Sequence, residues 1–245
     1  MNTSRLLKGL TIAIGLAFSF SLASAQDTIP DPMDDGGPKR VSGGYGYAIG
    51  GYSMKDVAGL TNFVGNGTSF SDGAIGFGGG GMLMVRSVLL GGEGYSSLKQ
   101  KETFGSQDLT YESGWGKFYF GYVLVGKKGL LLYPKVGVGG YKESLTLNNK
   151  AANVTMDTVF TGAYTGTNLV KQGVLMSFGA GFEWMPGFDE TSGSGIVIGL
   201  DLGYNLAITE NDWKAYEAPL SGGPVLKPTG LYANLHIGFG GWNRQ

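Results

Sequence analysis

The stretch Gly195-Ile196-Val197-Ile198-Gly199-Leu200-Asp201-Leu202-Gly203-Tyr204-Asn205-Leu206-Ala207-Ile208-Thr209 has a period of two. Ile196, Ile198, Leu200, Leu202 and Tyr204 share one parity, and Val197, Gly199, Asp201, Gly203 and Asn205 share the other. Successive side chains of a strand point to opposite faces, so this segment has one greasy wall and one small or polar wall. A soluble β-protein turns the greasy wall inward. Here the other wall is mostly glycine with an isolated acid, too little charge to face water, and the pattern reads as a barrel turned inside out, with lipid outside and a polar lumen.

The same alternation recurs in eight segments, 41–54, 73–85, 87–99, 109–125, 128–146, 171–185, 194–208 and 229–242. Val174, Met176, Phe178, Ala180, Phe182 and Trp184 oppose Ser177, Gly179, Gly181 and Glu183; Leu231, Leu235, Ile237 and Phe239 oppose Tyr232, Asn234, His236 and Gly238. Linkers alternate between short (Arg86; Gly126-Lys127; Pro186 to Gly193) and long (Lys55 to Asp72; Gln100 to Asp108; Leu147 to Val170; Thr209 to Pro228). Short turns at one end and long loops at the other are the habit of outer-membrane barrels, and an even strand count puts both termini at the short-turn end. Open strand edges in lipid would leave backbone groups unpaired, so the sheet is expected to close. The fold class is therefore all-β, a closed antiparallel transmembrane barrel of eight strands, with Asn153 to Leu169 able to add a hairpin and make ten. Pro134 lies inside the fifth segment and cannot donate a ladder hydrogen bond, which calls for a bulge or a place near the short-turn rim.

Composition agrees. Of 245 residues 46 are glycine and only 8 proline, without a G-X-Y period, and the charged fraction is 15%, against about 25% in ordinary domains. The 18 basic and 19 acidic residues give no basic footprint for nucleic acid. With no cysteine there are no disulfides, no thiolate metal sites and no lipid anchor on Cys. Residues 1–25 read as a signal peptide: Arg5 and Lys8, the apolar run Leu10 to Leu22, then Ala23-Ser24-Ala25 before Gln26. Residues 26–40 form a Pro-, Asp- and Gly-rich periplasmic lead-in, and 41–245 the barrel, which places the protein in the cell outer membrane.

Six charged or titratable residues fall on the lumenal parity: Glu93, Lys117, Lys135, Glu183, Asp201 and His236. An eight-stranded interior is just wide enough to be filled by side chains, and isolated buried charges are costly, so these groups are expected to pair. The network serves either as a structural plug, which is preferred, or as a gate. Tyr45, Tyr47, Tyr122, Trp184 and Trp242 sit near strand ends at the short-turn side and are assigned to an interfacial aromatic girdle. Inward Gly76, Gly78 and Gly80 are expected to make room for Tyr95 or Tyr119. No His/Asp/Glu spacing suggests a metal, no cofactor motif is present, and no catalytic residues are assigned. His236, Ser177 and Asp201 share a lumenal parity, but an interior histidine with its needs met is the simpler account. Tyr111, Trp115, Trp213 and Tyr216 flank long loops and are expected to be exposed for surface contacts.

The signal peptide, the eight segments and the final strand Gly230-Leu231-Tyr232-Ala233-Asn234-Leu235-His236-Ile237-Gly238-Phe239 resemble small outer-membrane β-barrel proteins of the OmpA/OmpX-like kind over about Val41 to Trp242. That resemblance implies a non-enzymatic, monomeric, integral barrel inserted into outer-membrane lipid by barrel-assembly machinery, with a role in envelope structure or in binding an extracellular ligand through its loops. Two other readings fit the alternation. One is a narrow channel for small solutes. The other is a soluble lipocalin-like periplasmic barrel, which would bury Ile196, Ile198, Leu200 and Leu202 and expose Asp201.

Overall fold

A computed structural model describes residues 40–64, 70–104, 107–127, 129–149, 166–188, 193–215, 218–220 and 222–244. The proposed signal peptide, most of the lead-in, Tyr216 and the greater part of Asn153 to Leu169 lie outside the described residues.

In chain order the elements are β1 (Val41–Met54), α1 (Ala58–Val64), β2 (Gly73–Val85), β3 (Val88–Ser97), β4 (Gln100–Phe104), β5 (Gln107–Tyr122), β6 (Val125–Lys127), β7 (Leu130–Asn149), β8 (Gly166–Trp184), β9 (Ser194–Glu210), β10 (Trp213–Ala215), β11 (Ala218–Leu220) and β12 (Gly230–Arg244). Eight of them close a ring. β1 pairs with β2, then β3, β5, β7, β8, β9 and β12 follow, and β12 returns to β1 from Val41↔Arg244 to Ser53↔Tyr232. All these ladders are antiparallel. The four short strands are attachments: β4 extends a hairpin onto β5, β6 borders β7, and β10 with β11 continues from the loop end of β8.

The faces are inverted relative to a soluble protein. Phe118 (77% exposed), Phe239, Phe77, Ile196, Leu200, Leu202 and Ile237 point out, while Glu93, Glu183, Asp201 and His236 are buried. This rules out the lipocalin-like alternative, since Leu200 is outside and Asp201 inside. The belt ends where outward residues turn polar, at Glu112 on β5, at Lys142, Ser144 and Thr146 on β7, and at Gln172 on β8. A bilayer crossing takes about 9–11 tilted residues. β7 has 20 and β8 has 19, so these strands project well beyond the belt at the loop end.

Pro134 sits opposite Ala180 of β8. On its other side the β5 ladder stops at Gly121↔Lys135 and the β6 ladder starts at Val125↔Leu132, so the missing N–H falls in a gap between two neighbours. The β8–β9 ladder carries one irregularity, between Val174 and Leu175.

The described parts of the loop Lys55 to Asp72, which contains α1, and of 211–229 fold over the lumen as a cap. Leu60, Val57 and Phe70 from the first loop and Trp213 and Leu226 from the second pack on Leu109, Tyr111 and Leu145 of the projecting walls. Asp56 starts the helix by accepting from the Ala58 amide at 3.2 Å, and it bridges backbone-to-backbone to Lys227, stapling the two loops together.

Candidate functional site

The site is the lumen itself. Because inward positions alternate along every wall strand, residues far apart in sequence are projected onto one axis. Glu93 (β3), Lys117 (β5), Lys135 (β7), Glu183 (β8), Asp201 (β9) and His236 (β12) converge there with side chains at most 1% exposed. Glu93 takes Lys117 at 3.1 Å and Lys135 at 3.4 Å, and Lys135 also pairs with Asp201. His236 lies between two acids, with Nε2 3.2 Å from Asp201 and Nδ1 3.5 Å from Glu183. Its ring stacks on Tyr47 at 4.4 Å.

Tyrosines finish the network. Tyr47 donates to Glu93 at 3.2 Å and shares a 2.7 Å hydroxyl contact with Tyr119, and Tyr133 donates to Glu183 at 2.8 Å. Lys117 sits between the rings of Trp115 (4.3 Å) and Tyr232 (4.0 Å). These large side chains need bare backbone on the adjacent strand. Tyr95 lies over Gly76, Tyr47 over Gly80 and Tyr133 over Gly181, each where a Cβ would collide. The expectation for Gly76 and Tyr95 holds. Tyr119, however, lies over Gly91, and Gly80 serves Tyr47.

Three oxygen and nitrogen ligands, from Glu93, Asp201 and His236, come within 4.8 Å of one another, a grouping that sequence spacing does not disclose. The ammonium of Lys135 engages both Glu93 and Asp201, so a cation already bridges two of the three. Ser177 packs against Gly137, whereas His236 has a carboxylate on each nitrogen, so the residues of a Ser-His-Asp arrangement are not brought into line.

Apolar and aromatic side chains flank the charges on both sides, with Ile49, Tyr95, Trp115, Tyr141 and Leu175 on the loop side. Toward the termini stand Val41, Met84, Leu89, Val123, Leu131, Met185, Val197 and Trp242. Toward the loops, above the belt, Lys55 hydrogen-bonds Ser113, Tyr111 donates to Glu143 at 2.5 Å, and Lys171 joins Glu210 (2.9 Å) to the carbonyl of Leu226 (3.0 Å). Lys55 lies in the loop after β1, and burial pushes its ammonium below the usual lysine range, with the Glu143 carboxylate pushing back up.

Several sequence-based assignments need correction. Tyr45 (3% exposed), Tyr47 and Trp242 are not girdle residues. They point into the lumen, where Tyr45 packs against both of the others. Tyr122 and Trp184 face outward. Tyr111, Trp115 and Trp213 are not exposed either: Trp115 and Tyr111 share the inward parity of Lys117, and Trp213 is buried in the cap, donating to Pro224 at 2.7 Å.

No protein family model matches the chain, and no curated protein matches it. Among solved structures it is similar to Ail, the attachment invasion locus protein of Yersinia pestis, solved in complex with the heparin analogue sucrose octasulfate: 14% identity, 83% of this chain, 98% of that one, TM-score 0.39. It is also similar to Neisserial surface protein A (11% identity, 82% and 96% coverage, TM-score 0.34) and to the outer membrane protease OmpT from Escherichia coli (8%, 84% and 96%, TM-score 0.30).

Proposed function

We propose that this is a non-enzymatic integral outer-membrane barrel that works through its outer surfaces, as an envelope element and a platform for surface contacts made by the cap and loops. The observation that supports it is the inversion of faces together with a filled interior. Aliphatic and aromatic side chains ring the outside at the height of a hydrocarbon layer, and the lumen holds a paired charge layer between apolar layers. Such an interior favours a plug over a channel, because an ion would have to displace Lys135 or Lys117 from carboxylates that have no solvent to replace them. Each nitrogen of His236 faces an acid and Ser177 lies against Gly137, which among the described residues speaks against an aligned nucleophile and base. The loop end faces outward from the cell on this reading, because the ends of the ring at Val41 and Arg244 and the short turns lie at the other end.

Two measurements test the proposal. The protein should stay with the membrane in carbonate and need detergent for release, and reconstituted in planar bilayers it should show no steady conductance. Release by carbonate would overturn the membrane assignment, and sustained openings of the unmodified chain would replace the plug with a channel.

A further inference from the structure

At the short-turn rim, where β1 begins and β12 ends, the charges on the described side chains are of one sign. They are Arg40, Arg86 and Lys127, all exposed.

Three separate segments bring these cations together. The Ser87 amide donates to Val41 O (2.7 Å), the Val41 amide to Ser87 Oγ (3.2 Å), the Val123 amide to Ser87 O (2.9 Å) and the Arg86 amide to Ser42 Oγ (3.1 Å). Val41 also packs against Gly126, closely enough that a Cβ there would collide. Arg40, Arg86 and Lys127 are each one residue away from this knot of Val41, Ser87 and Gly126.

Arg86 is held at a conformational cost. It and Ser87 form the two-residue β2–β3 turn with φ of 51° and 69°. Turns of that kind are normally built from Asn-Gly, since a side chain with a Cβ resists the left-handed region. Burial explains Ser87, which is enclosed and accepts two of the bonds just given. It does not explain Arg86, whose side chain is exposed. An arginine kept in a turn that asparagine would relax points to a use for the guanidinium outside the protein. The site's depth says what that use is. The outward residues immediately above it are apolar, Leu83 and Val85 on β2, Tyr122 and Leu124 beside β5, and Leu132 on β7, so the cations stand at the edge of the hydrocarbon belt, where lipid phosphates lie.

We infer that Arg40, Arg86 and Lys127 form a binding site for the phosphate of an anionic phospholipid in the leaflet at the terminal rim, Arg86 supplying the forked donor that suits phosphate oxygens. This deepens the membrane reading and rests on it.

The test is electron spin resonance of the full chain in phosphatidylcholine vesicles containing spin-labelled phosphatidylglycerol or spin-labelled phosphatidylcholine, at low and high salt. The wild-type chain should restrict the anionic lipid in preference to the zwitterionic one, less so at high salt. R86N should lower that preference about fivefold. R40Q/R86N/K127Q should remove it, while R86N alone unfolds at no lower temperature than the wild type because asparagine tolerates the turn. Equal preference in the wild type and the triple variant overturns the site. So does an R86N protein that loses stability while keeping its lipid preference, since Arg86 would then be structural. If neither labelled lipid is restricted at all, the membrane reading itself fails, an outcome distinct from loss of preference.

Discussion

Lys55 shows how much a single residue is asked to do in this molecule. It leaves β1 at the loop end, turns inward beneath the cap and bonds Ser113, with burial holding its ammonium below the ordinary range. A group whose pKa is depressed in the docked state binds its proton less tightly there than when exposed. Its favourable contribution is therefore full above the usual lysine pKa, and it is lost as pH falls through the lowered value. The docked cap is expected to become firmer toward alkaline pH, and K55M, which keeps the aliphatic stem, should abolish that dependence. Hydrogen exchange of 55–64 and 213–227, corrected for intrinsic rates, reads this directly; an unchanged pH slope in K55M would refute it. The lumen charges follow a different logic. Glu93, Lys135 and Asp201 are worth little as a net gain over apolar filling, yet each needs the others, because one partner removed leaves a bare charge at a cost of about 3–5 kcal/mol.

At the scale of the strand, the alternation decides what a glycine is for. Gly181 on β8 faces inward beneath the Tyr133 ring, and Gly116 on β5 faces outward, where a Cβ would meet no atom nearer than 3.9 Å. G181V should push Tyr133 off Glu183 and cost about 1–3 kcal/mol. G116V should change stability by less than about 1 kcal/mol in either direction, with strand propensity in its favour. Urea titration of the heat-modifiable gel shift in micelles compares the two, and equal penalties would refute the assigned faces. The same alternation made most of the wall legible: 41–54 and 73–85 coincide with β1 and β2, and the other segments differ from their strands by a few residues. It also held the answer for Tyr45, Tyr47, Trp115 and Trp242, each on the inward parity of its own strand. For these residues parity decides the face, and nearness to a strand end or loop does not. Other features were beyond a period-two reading. Lys135 meets Asp201 across 66 positions, a juxtaposition set by barrel register, and α1 is a seven-residue helix stabilised by what it caps rather than by its own periodicity.

Taken whole, the molecule is sealed twice on the proposed reading. The cap closes the loop end on its own apolar core, and the charge layer with its apolar neighbours closes the middle. The two seals share no hydrogen bond or ion pair among those described, so they should fail independently. L60D/W213A is expected to undock the cap, seen as faster exchange in 55–64 and 213–227, while the reconstituted barrel still carries no steady current; conductance on loss of the cap alone would show the inner layer to be no barrier. The ring that holds both seals joins its own ends, since β1 is zipped to β12 from Val41↔Arg244 to Ser53↔Tyr232. The first strand's permanent partner is thus the last to be synthesised. Until residue 244 has been delivered, β1 presents an unsatisfied edge ready to recruit a neighbouring chain. Joining it to the far end of the polypeptide is the longest-range step in folding and so a slow one. Biogenesis of this protein is accordingly expected to be a problem of custody, with β1 kept unzipped until β12 arrives.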